Sequence, residues 1–136
     1  MSYSIEFDAE RKIFRTEFWG KVTLEEINVS DREMLASPDW PGSRKNLTHL
    51  RRGADMSSVT HEGLLTVTLP YMRESQEIRG AHSMEAWMID DPFNFSVVQL
   101  WELMPSTPGL QEFQVFEHEH DALQWLADGV VTAPSG

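Results

Sequence analysis

The sequence predicts an α/β domain in which strands and helices alternate, and three observations carry that reading. Residues 113–127, FQVFEHEHDALQWLA, place a short apolar strand (Phe113, Val115, Phe116) directly before an amphipathic helix with Ala122, Leu123, Trp125 and Leu126 on its apolar side. Residues 84–89 set Met84, Ala86 and Met88 on one side and Trp87 and Ile89 on the other, as expected of a strand covered on both faces. Asp91-Pro92 follows at once, an N-cap acid with proline at the first helical position.

The remaining elements follow in chain order. Residues 2–8 alternate with Tyr3, Ile5 and Phe7 on one face, and residues 12–19 alternate with Phe14, Thr16 and Phe18 on one face. Only a short polar connection separates them, so they read as an antiparallel hairpin that Gly20 stops. Thr23-Leu24-Glu25-Glu26 fits a capping box, in which the threonine oxygen accepts a backbone N–H and Glu26 reaches back. The helix it starts runs to about Ala36 with Leu24, Ile27, Met34 and Leu35 on one stripe. Asp31 falls inside that stripe: either it is a paired, partly buried carboxylate or the helix rolls to place it on the edge, and because an unpaired buried carboxylate is costly the roll is expected.

Residues 37–42 (SPDWPG) form a loop, and residues 46–51 a third strand. Residues 60–76 read as helix to Leu69, a break or kink at Pro70, then helix to Gln76 or Glu77; a strand over 64–69 is the alternative on local propensity. Residues 93–104 form an apolar helix that the Pro105–Gly109 region ends, and residues 112–116 with 118–127 close the fold. Residues 1–127 are thus one domain, and 128–136 a flexible tail.

Composition narrows the function classes. A chain of 136 residues is long enough for one core without staples, and with no cysteine it has neither disulfides nor thiolate chemistry. Net charge of −11 weighs against nucleic acid and against anionic membrane. Arg44, Lys45, Arg51 and Arg52 are neighbours in sequence and are read as a solvated loop pair rather than an acidic partner's site. The acidic, strand-patterned start MSYSIEFDAE is not a signal peptide, and no apolar run is long enough for a membrane span, so a cytoplasmic protein is expected.

In order, the elements are β-β-α-β-α-β-α-β-α. With the hairpin ending Trp19-Gly20-Lys21-Val22-Thr23, the third strand entering Leu50-Arg51-Arg52-Gly53-Ala54-Asp55, the Asp90-Asp91-Pro92 turn and the closing Val115-Phe116, Ala122 and Trp125-Leu126, the chain resembles the SpoIIAA-like branch of the STAS superfamily, over nearly its whole length. That resemblance implies a five-stranded mixed, mostly parallel sheet with helices on both faces. Two departures stand out. His49 occupies a third-strand position that is often acidic in the resembling group. The anti-sigma-factor antagonists proper carry an Asp-Ser pair at the start of the second helix, its serine a phosphorylation switch, where this chain reads Ser57-Ser58-Val59-Thr60 without the acidic neighbour.

In such a sheet the loops leaving the strands' carboxyl ends share one rim, the usual place for a ligand. That rim gathers Asp55, Ser57, Ser58, Asp90, Asp91, Glu117, His118, Glu119 and His120. Its carboxylates oppose a phosphate, and no phosphate-cradling glycine loop is present. His118-Glu119-His120 is the nearest approach to a metal motif, but capping and solvation account for it, so no metal or other cofactor is expected. No nucleophile elbow or triad spacing appears, and no enzyme is expected. His49 reads as a satisfied core or edge histidine, and His61 and His82 as solvated.

The apolar excess of residues 93–104 is the more informative feature. Phe95 and Val98 are expected to project away from the face that packs on the sheet, and seven methionines add adaptable surface. Three accounts are open: cover by neighbouring helices, a homodimer or partner interface, and a pocket for a small apolar, lipid-like ligand. The expectation is a non-enzymatic, homodimeric domain acting by protein–protein contact, with a regulatory protein as partner and Phe93, Phe95, Val98 and Trp101 as contacts. The alternatives are an apolar-ligand carrier or sensor using the same helix, and a phospho-switch at Ser57 or Ser58.

Overall fold

Tyr3–Asp8 (β1) and Ile13–Phe18 (β2) pair antiparallel, with Tyr3 opposite Phe18 and Asp8 opposite Ile13. The computed structural model in which they do so describes residues 2–80, 82–99 and 111–129. Lys45–Leu50 (β3), Ser83–Ile89 (β4) and Gln111–Phe116 (β5) continue the sheet in parallel, in the order β1-β2-β3-β4-β5. The helices are Leu24–Leu35 (α1), Trp40–Ser43 (α2), His61–Gly63 (α3), Leu69–Arg79 (α4), Pro92–Gln99 (α5) and Glu119–Asp128 (α6).

Consecutive strand order decides where the helices lie. Right-handed crossovers between sequential parallel strands place every crossover helix on one side of the sheet. That side carries Tyr3, Phe18, Leu50, Trp87 and Ile89, packed with Leu24 and Ile27 of α1, Leu64, and Val98 of α5. Phe14, with Ile5 and Phe7 beside it, extends the same layer beneath Met34, Leu35 and Trp40. Among the described helices only α6, which follows the last strand, turns to the other face, where Ala122, Trp125 and Leu126 cover Ile13, Leu47, Met84, Ala86 and Phe116. The expected five-stranded, mostly parallel sheet with helices on both faces is therefore present.

Local details refine several expectations. Thr23 caps α1, its Oγ1 accepting from the Glu26 N–H at 3.1 Å. The Glu26 carboxylate does not return to the cap; it accepts from the Ser2 N–H at 3.1 Å and ties α1 to the start of the chain. Pro70 does not break its helix, and residues 64–69 are not a strand. Proline lacks an N–H and crowds the carbonyl one turn back. The chain instead widens to a π-helical turn over Leu64–Thr68, with the Leu69 N–H reaching the Leu64 carbonyl, and α4 continues without interruption.

The final helix extends one residue past the expected boundary and ends at Gly129, whose φ of +69° suits a glycine cap. The 100–104 part of the expected apolar helix, the turn after it and the tail beyond Gly129 lie outside the described residues. Arg44–Lys45 and Arg51–Arg52 are not one cluster: they flank opposite ends of β3, separated by roughly 20 Å of strand. Lys45 is committed there, its Nζ donating to the Leu126 carbonyl. Among the described residues, no helix is long and apolar enough to cross a membrane.

Candidate functional site

The four parallel strands bring their following loops to one rim, and backbone bonds brace it. Lys21 and Asp55 form an isolated parallel bridge: the Val22 N–H donates to the Asp55 carbonyl at 2.9 Å, and the Asp55 N–H to the Gly20 carbonyl at 2.7 Å. Met56 and Val59 plug this loop into the core. The α5 end is fastened to it by Asn94, whose buried amide donates to the Ala54 carbonyl at 2.8 Å. Asp91 caps α5, accepting from the Phe93 N–H at 2.8 Å.

On this frame Phe93 stands 60 % exposed, the most solvent-exposed aromatic among the described residues. Trp19 carries the Arg51 guanidinium 4.6 Å above its ring, and Arg51 Nε donates to Glu17 at 2.7 Å. Hydrogen bonding from Arg51 holds the Glu17 carboxyl below its usual range. His49 sits between two acids, Nδ1 3.3 Å from Glu17 and Nε2 3.5 Å from Asp90. It is half-buried in the central strand, and its buried Nε2 makes no hydrogen bond, so it is neither an edge histidine nor a fully satisfied one. The rim thus presents an exposed phenyl ring, a guanidinium stacked on an indole, and mixed charge.

The expected site residues are distributed unevenly over this frame. Val98 does not project outward: it is 0 % exposed and packs in the core against the sheet. Phe95 is half-buried against the same cluster. A single short helix laid over a twisted sheet buries a wider arc than one stripe, which absorbs both side chains. Trp101 lies outside the described residues. Ser57 and Ser58 are exposed, but neither caps a helix; Thr60 caps α3, accepting from the Gly63 N–H at 3.0 Å. An acid does neighbour the serines, since the Asp55 carboxylate accepts from the Ser57 N–H at 2.8 Å. A phosphoryl group there would face that carboxylate, whose ionised form the Ser57 hydrogen bonds favour. His118, Glu119 and His120 are exposed and Glu119 pairs with Arg15 at 2.7 Å; no metal-holding group of acids and histidines exists among the described residues.

A second constellation is absent from the sequence reading. The buried stripe of the long helix is Leu64, Thr68, Tyr71, Ser75 and Arg79, almost entirely polar. Arg79 donates through Nη1 and Nη2 to the two oxygens of Asp31, at 3.2 and 2.5 Å, and through Nη2 to Ser75 at 3.1 Å. Tyr71 donates to the same carboxylate, and burial with that neighbour pushes its phenol up. Asp31 is therefore a paired, partly buried carboxylate, and the expected roll of α1 does not occur. Beneath it in the sheet, Glu85 accepts from Asn46 Nδ2 at 2.9 Å and Thr48 Oγ1 at 2.7 Å, and Thr16 Oγ1 donates to Asn46 at 3.0 Å. Burial pushes the Glu85 carboxyl up to about 8. The helical spacing of Thr68, Tyr71, Ser75 and Arg79, and an acid inside a doubly covered strand, were the available signals.

No family model matches this sequence, and no curated protein matches it. Among solved structures, it is similar to an uncharacterized protein of the DUF3478 family with a SpoIIAA-like fold from Shewanella loihica PV-4. The two share 19 % identity with a TM-score of 0.53, over 92 % of this chain and 94 % of that one. The fold is SpoIIAA-like, as the order of its elements led us to expect.

Proposed function

We propose that this chain is a non-enzymatic, cytoplasmic interaction domain that self-associates through the α5 end of the rim, and that Phe93 anchors the contact. The observation that carries this reading is the 60 % exposed Phe93 ring, held by the Asp91 cap on a braced, otherwise polar rim. A rigidly presented aromatic loses little conformational entropy on docking, so it is a good anchor. The Trp19–Arg51 stack extends the same rim with residue types favoured at contact centres.

The carrier reading has less support, because Phe18, Leu50, Trp87, Ile89 and Val98 fill the space between the described part of α5 and the sheet. The phospho-switch has less support because neither Ser57 nor Ser58 starts a helix, the place of the switch serine in the resembling family; Thr60 does. Sedimentation velocity at micromolar concentration tests the proposal. The wild-type chain sediments as a dimer, and Phe93→Glu weakens association at least tenfold, about 1.4 kcal/mol. A wild-type monomer, or a dimer indifferent to Phe93→Glu, rejects it.

A further inference from the structure

Three ionisable groups beneath α4 act on one another in a ratio that does not balance. Asp31 from α1 and Glu85 from β4 are both acids, and Arg79 at the end of α4 is the cation that acts on both. Arg79 is only 3 % exposed, and its Nη1 and Nη2 are committed to Asp31 while its buried Nε has no partner. The other groups around Glu85 are neutral: Asn46 and Thr48 on β3, and Phe113 opposite it on β5. Tyr71 and Ser75 of α4 are hydrogen-bonded to the Asp31–Arg79 pair, and both stay uncharged. One guanidinium neutralises one carboxylate, so the buried cluster is electrically balanced when the other carboxyl carries a proton. The Thr48 hydroxyl can turn to accept from that proton.

We propose that Glu85, Arg79 and Asp31 form a proton-controlled latch between the sheet and the α1–α4 layer. With Glu85 protonated, Arg79 serves Asp31 alone and the seam is closed. When the proton leaves to solvent base at mildly alkaline pH, two buried carboxylates compete for one guanidinium. Arg79 Nε, buried without a hydrogen bond, is left for a second acceptor, and the Asp31–Arg79 clamp between α1 and α4 loosens. The position of the Glu85 carboxyl, raised by burial to about 8, sets the range in which this happens. The latch is independent of self-association at the rim.

Backbone amide exchange of the full chain, corrected for the intrinsic pH dependence, reads it directly. Between pH 6.5 and 9 the amides of α4 and of α1 around Asp31 should lose protection about tenfold or more. Those of β2 and β3 keep theirs, and Glu85→Gln holds α4 protection constant over the same range. Unchanged α4 protection in the wild type, or the same pH dependence in Glu85→Gln, overturns the latch. If Glu85→Gln does not fold, carboxyl-carbon NMR of the wild type decides: a Glu85 titration in the alkaline range supports the proposal, and one near the usual carboxylate range refutes it.

Discussion

Replacing Arg79 with methionine should destabilise the domain by about 3–5 kcal/mol, because it strands the Asp31 carboxylate in a site built around its cation. The side chains of Arg79 and Asp31 are 4 % and 17 % exposed, so water cannot easily replace the lost partner. Methionine keeps most of the volume, which separates the charge effect from a cavity effect. The double variant Arg79→Met, Asp31→Leu should recover much of the loss, since it removes both charges together. Urea denaturation checks this: the single variant lowers the midpoint without altering the slope, and the double variant lies between it and the wild type. Equal losses from the single and the double would show that a stranded Asp31 charge is not the cause of the loss.

Stability should fall as pH rises from about 5 to 8.5. Glu85 has a folded-state position of about 8 against an ordinary value of 4.5. The folded state therefore holds a proton that the unfolded state has already released. Its stabilising contribution is complete below 4.5, declines through the window, and is gone above 8, a total on the order of 3–5 kcal/mol. Glu17 and Asp55 act in the opposite sense, since both are held below their ordinary values. Their contribution is present at neutral pH and disappears as acid is added below about pH 4. The optimum should accordingly lie near pH 5. Thermal melts across pH 4–9 should show the decline in the wild type and its absence in Glu85→Gln, which melts higher than the wild type at pH 8.5. Parallel profiles for the two proteins would remove Glu85 as the cause.

The parts legible in the sequence were those governed by local chemistry. The β1–β2 hairpin was readable because a half-covered strand must alternate, and Tyr3, Ile5 and Phe7 do so. The starts of α1 and α5 were readable because Thr23 and Asp91 satisfy backbone N–H groups two or three residues away. Asp31 was misread because its partner is 48 residues distant, and no periodicity reports a cation on another helix. Glu85 was passed over for the same reason: the groups that accommodate it arrive from β3, 37 and 39 positions earlier. Val98 was placed outward by helical angle alone, which fixes the direction of a side chain but not the width of the face a sheet will cover. The π-helical turn escaped because Pro70 signals a disturbed helix without choosing between a kink and a widened turn.

Of the candidate site, the rim was foreseeable from parallel βα order, and Phe93 was among the expected contacts. Which of its apolar neighbours turn inward depended on packing against Phe18, Leu50 and Trp87, elements far apart in the chain.

The proposed role rests on contact at the Phe93 end of α5, and deuterium uptake of the wild-type chain at a dilute and a hundredfold higher concentration tests it most directly. Slower uptake at high concentration, confined to the peptides spanning residues 90–95 and the adjoining rim loops, is the predicted result. Identical uptake at both concentrations in every one of those peptides would contradict it.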